Sequence, residues 1–230
     1  MRRRVYKYLP FDSALKTIVG HKIKISEFAD MNDPFELAGV VLSCRSVHKI
    51  IVNMAHENGA LCMSHEWSNP LLWSHYADKH RGLCLGFEIS PKVELLDLHY
   101  VDSVKEVSVE GFKKLAARRH LPGAQTPEAR EAAKEPLMLP FHTKFKKWEY
   151  ENEARILVTK ELKEGDLWFH RFDDDLKLCE VIVGARCSVP RTKLEDAVKT
   201  YAEQPRIFKV RLADASFELV EDPDGFAPGA

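Results

Sequence analysis

Apolar and polar residues alternate along Leu83-Cys84-Leu85-Gly86-Phe87-Glu88-Ile89, the period of two that puts alternate side chains on one face of a strand. Just before it, Leu72, Trp73, Tyr76 and Ala77 recur at helical spacing. Asn69-Pro70 opens that helix, with Asn as the cap and Pro at the first helical position. Arg81-Gly82 is expected to close it, Gly taking the left-handed backbone. The rest of the chain is arranged around this helix-strand unit. Upstream, residues 5–8 read as a strand, Asp12 or Ser13 through Ile18 as a short helix closed by Gly20, and residues 21–25 as a second strand. Strands at 40–42 and 61–64 flank a helix over 47–58. Phe28-Ala29-Asp30-Met31-Asn32-Asp33-Pro34-Phe35-Glu36 reads as a structured loop, because Pro34 keeps Asp33 out of the helical region and the Asn and Asp side chains fold back on the backbone.

Downstream, a strand is expected near 98–101 and a helix over 109–120, with Lys113, Lys114, Arg118 and Arg119 on its surface. Residues 121–126 (LPGAQT) form a flexible connector and 127–134 a polar helix. Phe141, Phe145 and Trp148 are spaced as on one helix, with Lys144, Lys146 and Lys147 between them as a solvated basic face. Strands at 155–159, 166–172 and 179–183, a helix over 190–201, and strands at 207–212 and 217–220 complete the pattern. Strands and helices mix without strict alternation, which predicts a single α+β domain over residues 1–220, a mixed and mainly antiparallel sheet with flanking helices. Its expected core includes Leu72, Trp73, Leu85, Phe87, Ile156 and Val181. Residues 221–230, acidic and rich in Pro and Gly, read as a disordered tail.

Composition narrows the function classes. The 230 residues are 45% hydrophobic and 30% charged, with a net charge of −1, so no global field draws the protein to nucleic acid or an anionic membrane. The basic Met1-Arg2-Arg3-Arg4 is followed by no apolar signal core, and no run is long enough to span a bilayer. The five cysteines are odd in number, form no C-x-x-C pair and mostly sit among apolar residues, which predicts reduced thiols in a cytoplasmic protein. Cys62, His65, His75 and His80 share no ligand spacing, so no metal is expected.

Two stretches carry candidate chemistry. Glu151-Asn152-Glu153 enters a strand, where the spacing puts both carboxylates on one face. They are either an ion-pair row with Arg155 or a pair that meets a ligand hydroxyl and stabilises developing positive charge. Trp73-Ser74-His75-Tyr76 offers aromatic rings and an imidazole that titrates near neutral pH, as core residues or as a ligand wall.

Taken together, Tyr6-Lys7-Tyr8, Phe28 with Asn32-Asp33-Pro34-Phe35-Glu36, Trp73-Ser74-His75-Tyr76-Ala77 and His80 to Phe87 resemble domain-of-unknown-function family 2971. So do Lys144 with Trp148 to Arg155, and Val181-Ile182-Val183-Gly184. More distantly, the order of strand, helix, Tyr-bearing helix and late E-x-E is similar to the ADP-ribosyltransferase superfamily. That likeness implies an ADP-ribosyltransferase-like fold and a protein that uses NAD as co-substrate, as a transferase or NAD-glycohydrolase, of the kind found in toxins and defence effectors. By the same likeness Tyr6, Lys7 and Tyr8 hold the dinucleotide, with Ser64, Trp73, His75 and Tyr76 beside it. Glu153 becomes the catalytic carboxylate and Glu151 positions an acceptor, a protein or a nucleic acid. Lys7 stands where that superfamily has His or Arg, and no S-T-S follows. Two alternatives stay open: a metal-independent nuclease or phosphodiesterase built on His75 or His80, and a non-catalytic module that binds a nucleotide or a partner.

Overall fold

The alternating segments pair into one eight-stranded sheet in the computed structural model, which describes residues 3–42, 45–107 and 137–226. Its strands are β1 (Arg3–Leu9), β4 (Asn58–Ser64), β5 (Leu83–Ile89), β6 (Leu96–Asp97), β10 (Glu153–Thr159), β13 (Leu176–Val183), β14 (Arg206–Leu212) and β15 (Leu219–Asp222). They lie in the order β15-β14-β13-β5-β1-β4-β10-β6, and only β13 and β14 are parallel neighbours. Strands from before and after the connector interleave, β10 on β4 and β13 on β5. The short strands β2 (Lys22–Lys24), β11 (Leu162–Glu164) and β12 (Leu167–Arg171) form a three-stranded sheet. β3 (Val40–Leu42) pairs with β8 (Lys105–Val107), and β7 (His99–Val101) with β9 (Thr143–Phe145). The architecture is therefore a mixed, mainly antiparallel sheet with few helices.

Period two decides which face each strand residue serves. Val5, Leu83, Leu85, Phe87, Ile156 and Val181 share one continuous apolar cluster with the buried faces of α1 (Phe11–Gly20) and α4 (Arg191–Val198). The alternate residues serve two smaller clusters. In one, Tyr8, Cys84 and Ile182 meet Leu72 and Trp73 of α3 (Pro70–Tyr76). In the other, Ala60 meets Phe28, Phe141 and Ile51 of α2 (Arg45–Glu57). That division leaves a seam over β4 and β10, which polar residues fill.

Several local expectations are corrected. Helix α3 ends at Tyr76, and the left-handed residues after it are Asp78, Lys79 and His80 (φ 44°, 54° and 70°), not Gly82. Gly82 is needed for close approach instead, since a Cβ there would lie 2.1 Å from the Leu9 carbonyl oxygen. His21 (φ 48°), not Gly20, takes the left-handed position after α1. No single helix carries Phe141, Phe145 and Trp148: the chain runs as a 3-10 turn at Leu139–His142, then β9, then a 3-10 turn at Lys146–Glu151. Residues 221–226 belong to the fold, since β15 continues to Asp222 and the Phe226 ring packs on the large cluster with the Arg191 guanidinium 5.4 Å from it. The expected helices over 109–120 and 127–134, the connector, and the basic residues 113, 114, 118 and 119 lie outside the described residues, as do residues 227–230.

Candidate functional site

β1 stays in register with β5 along its whole length, yet it meets β4 at one pair alone, Tyr6 opposite Ser64. Beyond that pair the two strands part. A cavity of about 460 Å³ opens in the split, walled by residues 6–10 of β1 and its turn and by Cys62, Met63 and Ser64 of β4. Lys7 reaches across, its ammonium donating to the Cys62 carbonyl at 2.8 Å. Tyr76 and His75 of α3 border one side, and Asp30, Met31 and Asn32 of the structured loop another. Lys144, Glu151, Glu153 and Arg155 line the seam.

Local sequence explains how the charges converge. Asn152 adopts the left-handed conformation (φ 43°, ψ 50°) between the 3-10 turn and β10, a backbone that Asn tolerates better than most residues. The chain therefore kinks between the two glutamates. Their convergence does not come from strand alternation, the expected cause, because Glu151 precedes the strand. Lys144 is buried at 5% exposure rather than solvated, whereas Phe145 beside it is 41% exposed. Strand alternation in β9 turns the lysine inward and the phenylalanine out, the reverse of their hydrophobicity.

The side chains form a closed circuit. The Asn32 amide donates to the Tyr76 hydroxyl at 2.8 Å, and that hydroxyl donates to Glu151 Oε1. Lys144 Nζ donates to Glu151 Oε2 and, at 2.8 Å, to Glu153 Oε2. Arg155 donates from Nε to Glu153 Oε1 at 2.8 Å and from Nη2 to Glu153 Oε2 at 3.2 Å. Its Nη1 donates to Glu36 Oε1 at 2.5 Å and to the Phe141 carbonyl at 3.0 Å. Asn32 and Glu36 belong to the same loop, so the circuit begins and ends there. The loop thus holds the seam from both sides.

Burial works against the charged form of Glu153, but Arg155 and Lys144 outweigh it and hold its carboxyl down at about 2. Burial likewise opposes the Lys144 charge, and Glu153 and Glu151 more than compensate, so its pKa is raised. Burial, then the hydrogen bond to Glu151, pushes the Tyr76 phenol up, which keeps it a proton donor. Burial pushes the Cys62 thiol up to about 12 and so deprives it of thiolate reactivity. A depressed carboxylate stabilises the fold above its unfolded pKa, and that contribution fades as pH falls through the folded one. Stability should therefore decline from about pH 5 toward pH 2. In Glu153→Gln the decline should be shallower, read as denaturation midpoints across that range. An equally steep decline in the variant would show that Glu153 is not the group titrating.

Of the residues expected at the site, Tyr6, Lys7, Tyr8, Ser64, His75, Tyr76, Glu151 and Glu153 lie on this one cavity. Trp73 does not. It is fully buried behind Tyr8, the rings 5.3 Å apart and edge-on, and its indole N–H is spent on the Trp67 carbonyl, so it has no face to offer a ligand. Ser64 acts as a brace, its hydroxyl donating to the Glu151 carbonyl at 2.8 Å. His75 and His80 do not converge: His75 lies beside Tyr76 and Tyr150, whereas His80 stacks on Trp73 and bonds Ser74 at 3.1 Å. Lys144 and Glu36 are the participants the spacing did not reveal. The signal for Lys144 lay in the inward phase of a three-residue strand, too short to read.

Among the described residues, no group of three His, Cys, Asp or Glu could hold a metal ion, and no helix is long and apolar enough to cross a membrane. The pattern of a protein family of unknown function, DUF2971, matches residues 72–156, from α3 into β10. No curated protein and no solved structure matches the chain.

Proposed function

We propose that the split between β1 and β4 binds a ribosyl nucleotide of the NAD type and cleaves its N-glycosidic bond, as an ADP-ribosyltransferase-like or NAD-glycohydrolase protein. One observation carries this: Glu151 stands on the cavity wall with one oxygen on the Tyr76 hydroxyl and the other on the Lys144 ammonium. Each oxygen keeps a lone pair for a ligand hydroxyl. Glu151 is the carboxylate that touches the ribose, and Glu153 anchors Lys144 and Arg155 behind it. The roles are thus exchanged relative to the expectation from E-x-E, because both Glu153 oxygens already accept from cations.

The chemistry suits such a site. When the bond from C1′ to a pyridinium nitrogen breaks, the electron pair leaves with the nitrogen and nicotinamide departs neutral. No proton donor is required. The cationic sugar carbon that forms is stabilised by a fixed anionic group, and a carboxylate held before the reaction begins costs no reorganisation. A water oxygen then bonds C1′ and gives up its proton, or an acceptor takes the water's place. Lys7, with one donor on the Cys62 carbonyl, keeps others for phosphate oxygens.

Incubation with NAD should release nicotinamide. Glu151→Gln should lower that rate by about a hundredfold or more with the fold intact, since the amide keeps the shape and loses the charge. The pairing of both Glu153 oxygens with buried cations favours a second reading, a module that binds the nucleotide without turnover. It predicts NAD binding with no nicotinamide released. Absence of both binding and release would refute the two readings together.

A further inference from the structure

From the cavity wall outward, four aromatic rings follow one another around Glu151. Tyr76 and His75 have centroids 6.2 Å apart, His75 and Tyr150 6.1 Å, and Tyr150 and Trp148 6.1 Å. The row starts on the residue that bonds one Glu151 oxygen and ends on the ring that lies 5.2 Å from the Lys144 ammonium, which bonds the other. Trp148 is half-buried and packs into none of the three apolar clusters. Its ring neighbours are Tyr150, tilted at 37°, and the Lys144 ammonium. A tryptophan left part-exposed on a short 3-10 turn, with exposed Lys146 and Lys147 just before it, contributes little to the core. Rings in sequence with adjacent cations are the elements that hold unstacked bases and their phosphates.

We propose that this rim binds single-stranded nucleic acid, with Trp148 and Tyr150 stacking on bases and Lys146 and Lys147 meeting phosphates. The positive charge is local, since the chain as a whole carries −1, and Lys146 also pairs with Asp102 at 3.3 Å on the surface. Because the row starts at Tyr76, which bonds Glu151, a bound base sits at the mouth of the cleft, where an acceptor for the ribosyl group must stand. The acceptor role rests on the ribosyl-transfer reading, whereas the binding itself does not. In the transfer, a base amino nitrogen bonds C1′ as the bond to nicotinamide breaks. The nicotinamide leaves with the electron pair, and the amino proton passes to water.

The test is fluorescence anisotropy of the full chain with a labelled oligo-deoxythymidine and a mixed-sequence single strand, each also as a duplex. Single strands should bind more tightly than duplexes and weaken as salt rises. Trp148→Ala should weaken the single strands about tenfold, and Trp148→Phe, which restores a ring, should recover most of that loss. NAD binding should be unchanged in both variants, which separates the rim from the cleft and reports a native fold. No single-strand binding by the unaltered protein, or binding that Trp148→Ala leaves intact, overturns the proposal. Neither result touches NAD cleavage. Release of nicotinamide without any ribosyl group on the bound mixed-sequence strand, whose bases carry the amino groups that thymine lacks, would overturn the acceptor role alone.

Discussion

Replacing Arg155 with Met is expected to destabilise the protein by about 3–5 kcal/mol, the range for breaking a buried ion pair by removing one partner. The guanidinium is wholly buried, and its removal takes the cation from Glu36, leaves Glu153 with Lys144 alone, and strips a donor from the Phe141 carbonyl. Glu36 already has one buried oxygen, Oε2, with no hydrogen-bond partner among the described residues, so it has little else there to turn to. The damage should be repairable in part by chemistry rather than shape. Adding Glu36→Gln and Glu153→Gln to Arg155→Met removes the uncompensated charges, so the triple variant should be more stable than the single one. Chemical denaturation of both settles the matter. A single variant within about 1 kcal/mol of the unaltered protein would mean the circuit is an incidental surface-type pairing.

Trp73→Ala should cost a similar amount, about 3–5 kcal/mol for a large buried aromatic. The loss has three parts: the filled volume behind Tyr8, the edge-on ring contact, and the Trp67 carbonyl left without its donor. Trp73→Phe retains most of the volume and should fall between the two. The effect reaches the cleft, because Trp73 seats α3, which carries His75 and Tyr76 to the cavity wall. Nucleotide binding should weaken with stability in this variant, unlike Trp148→Ala. An unchanged denaturation midpoint would contradict the packing described here.

Much of the scaffold was legible because its strands obey a strict period. Leu83, Leu85, Phe87 and Ile89 alternate with small or polar residues so that one face meets the large core, whereas Val181-Ile182-Val183 is apolar throughout and is buried on both faces. The candidate carboxylates were legible as a pair, but the reason for their convergence was not. A strand template puts Glu151 and Glu153 on one face, whereas the fold does it with a left-handed Asn152 at the end of a 3-10 turn. Single-residue backbone conformations of that kind leave no periodic trace. Lys144 was hidden for a related reason: among Phe141, Phe145 and Trp148 the helical period was persuasive, and the tertiary pairing of β9 with β7 overrode it. The split itself depends on strands far apart in the chain, one of which abandons its neighbour after a single pair. Nothing local in Tyr6-Lys7-Tyr8 announces that.

Hydrogen exchange with and without ADP-ribose tests the central claim most directly. If the cleft is the nucleotide site, ligand should slow exchange at amides of residues 7–9 and 62–64, on the two sides of the split, and around Tyr76 and Glu151. Protection confined to the separate cavity of about 310 Å³ near Val93, Leu96 and His170, or no protection at all, would contradict it.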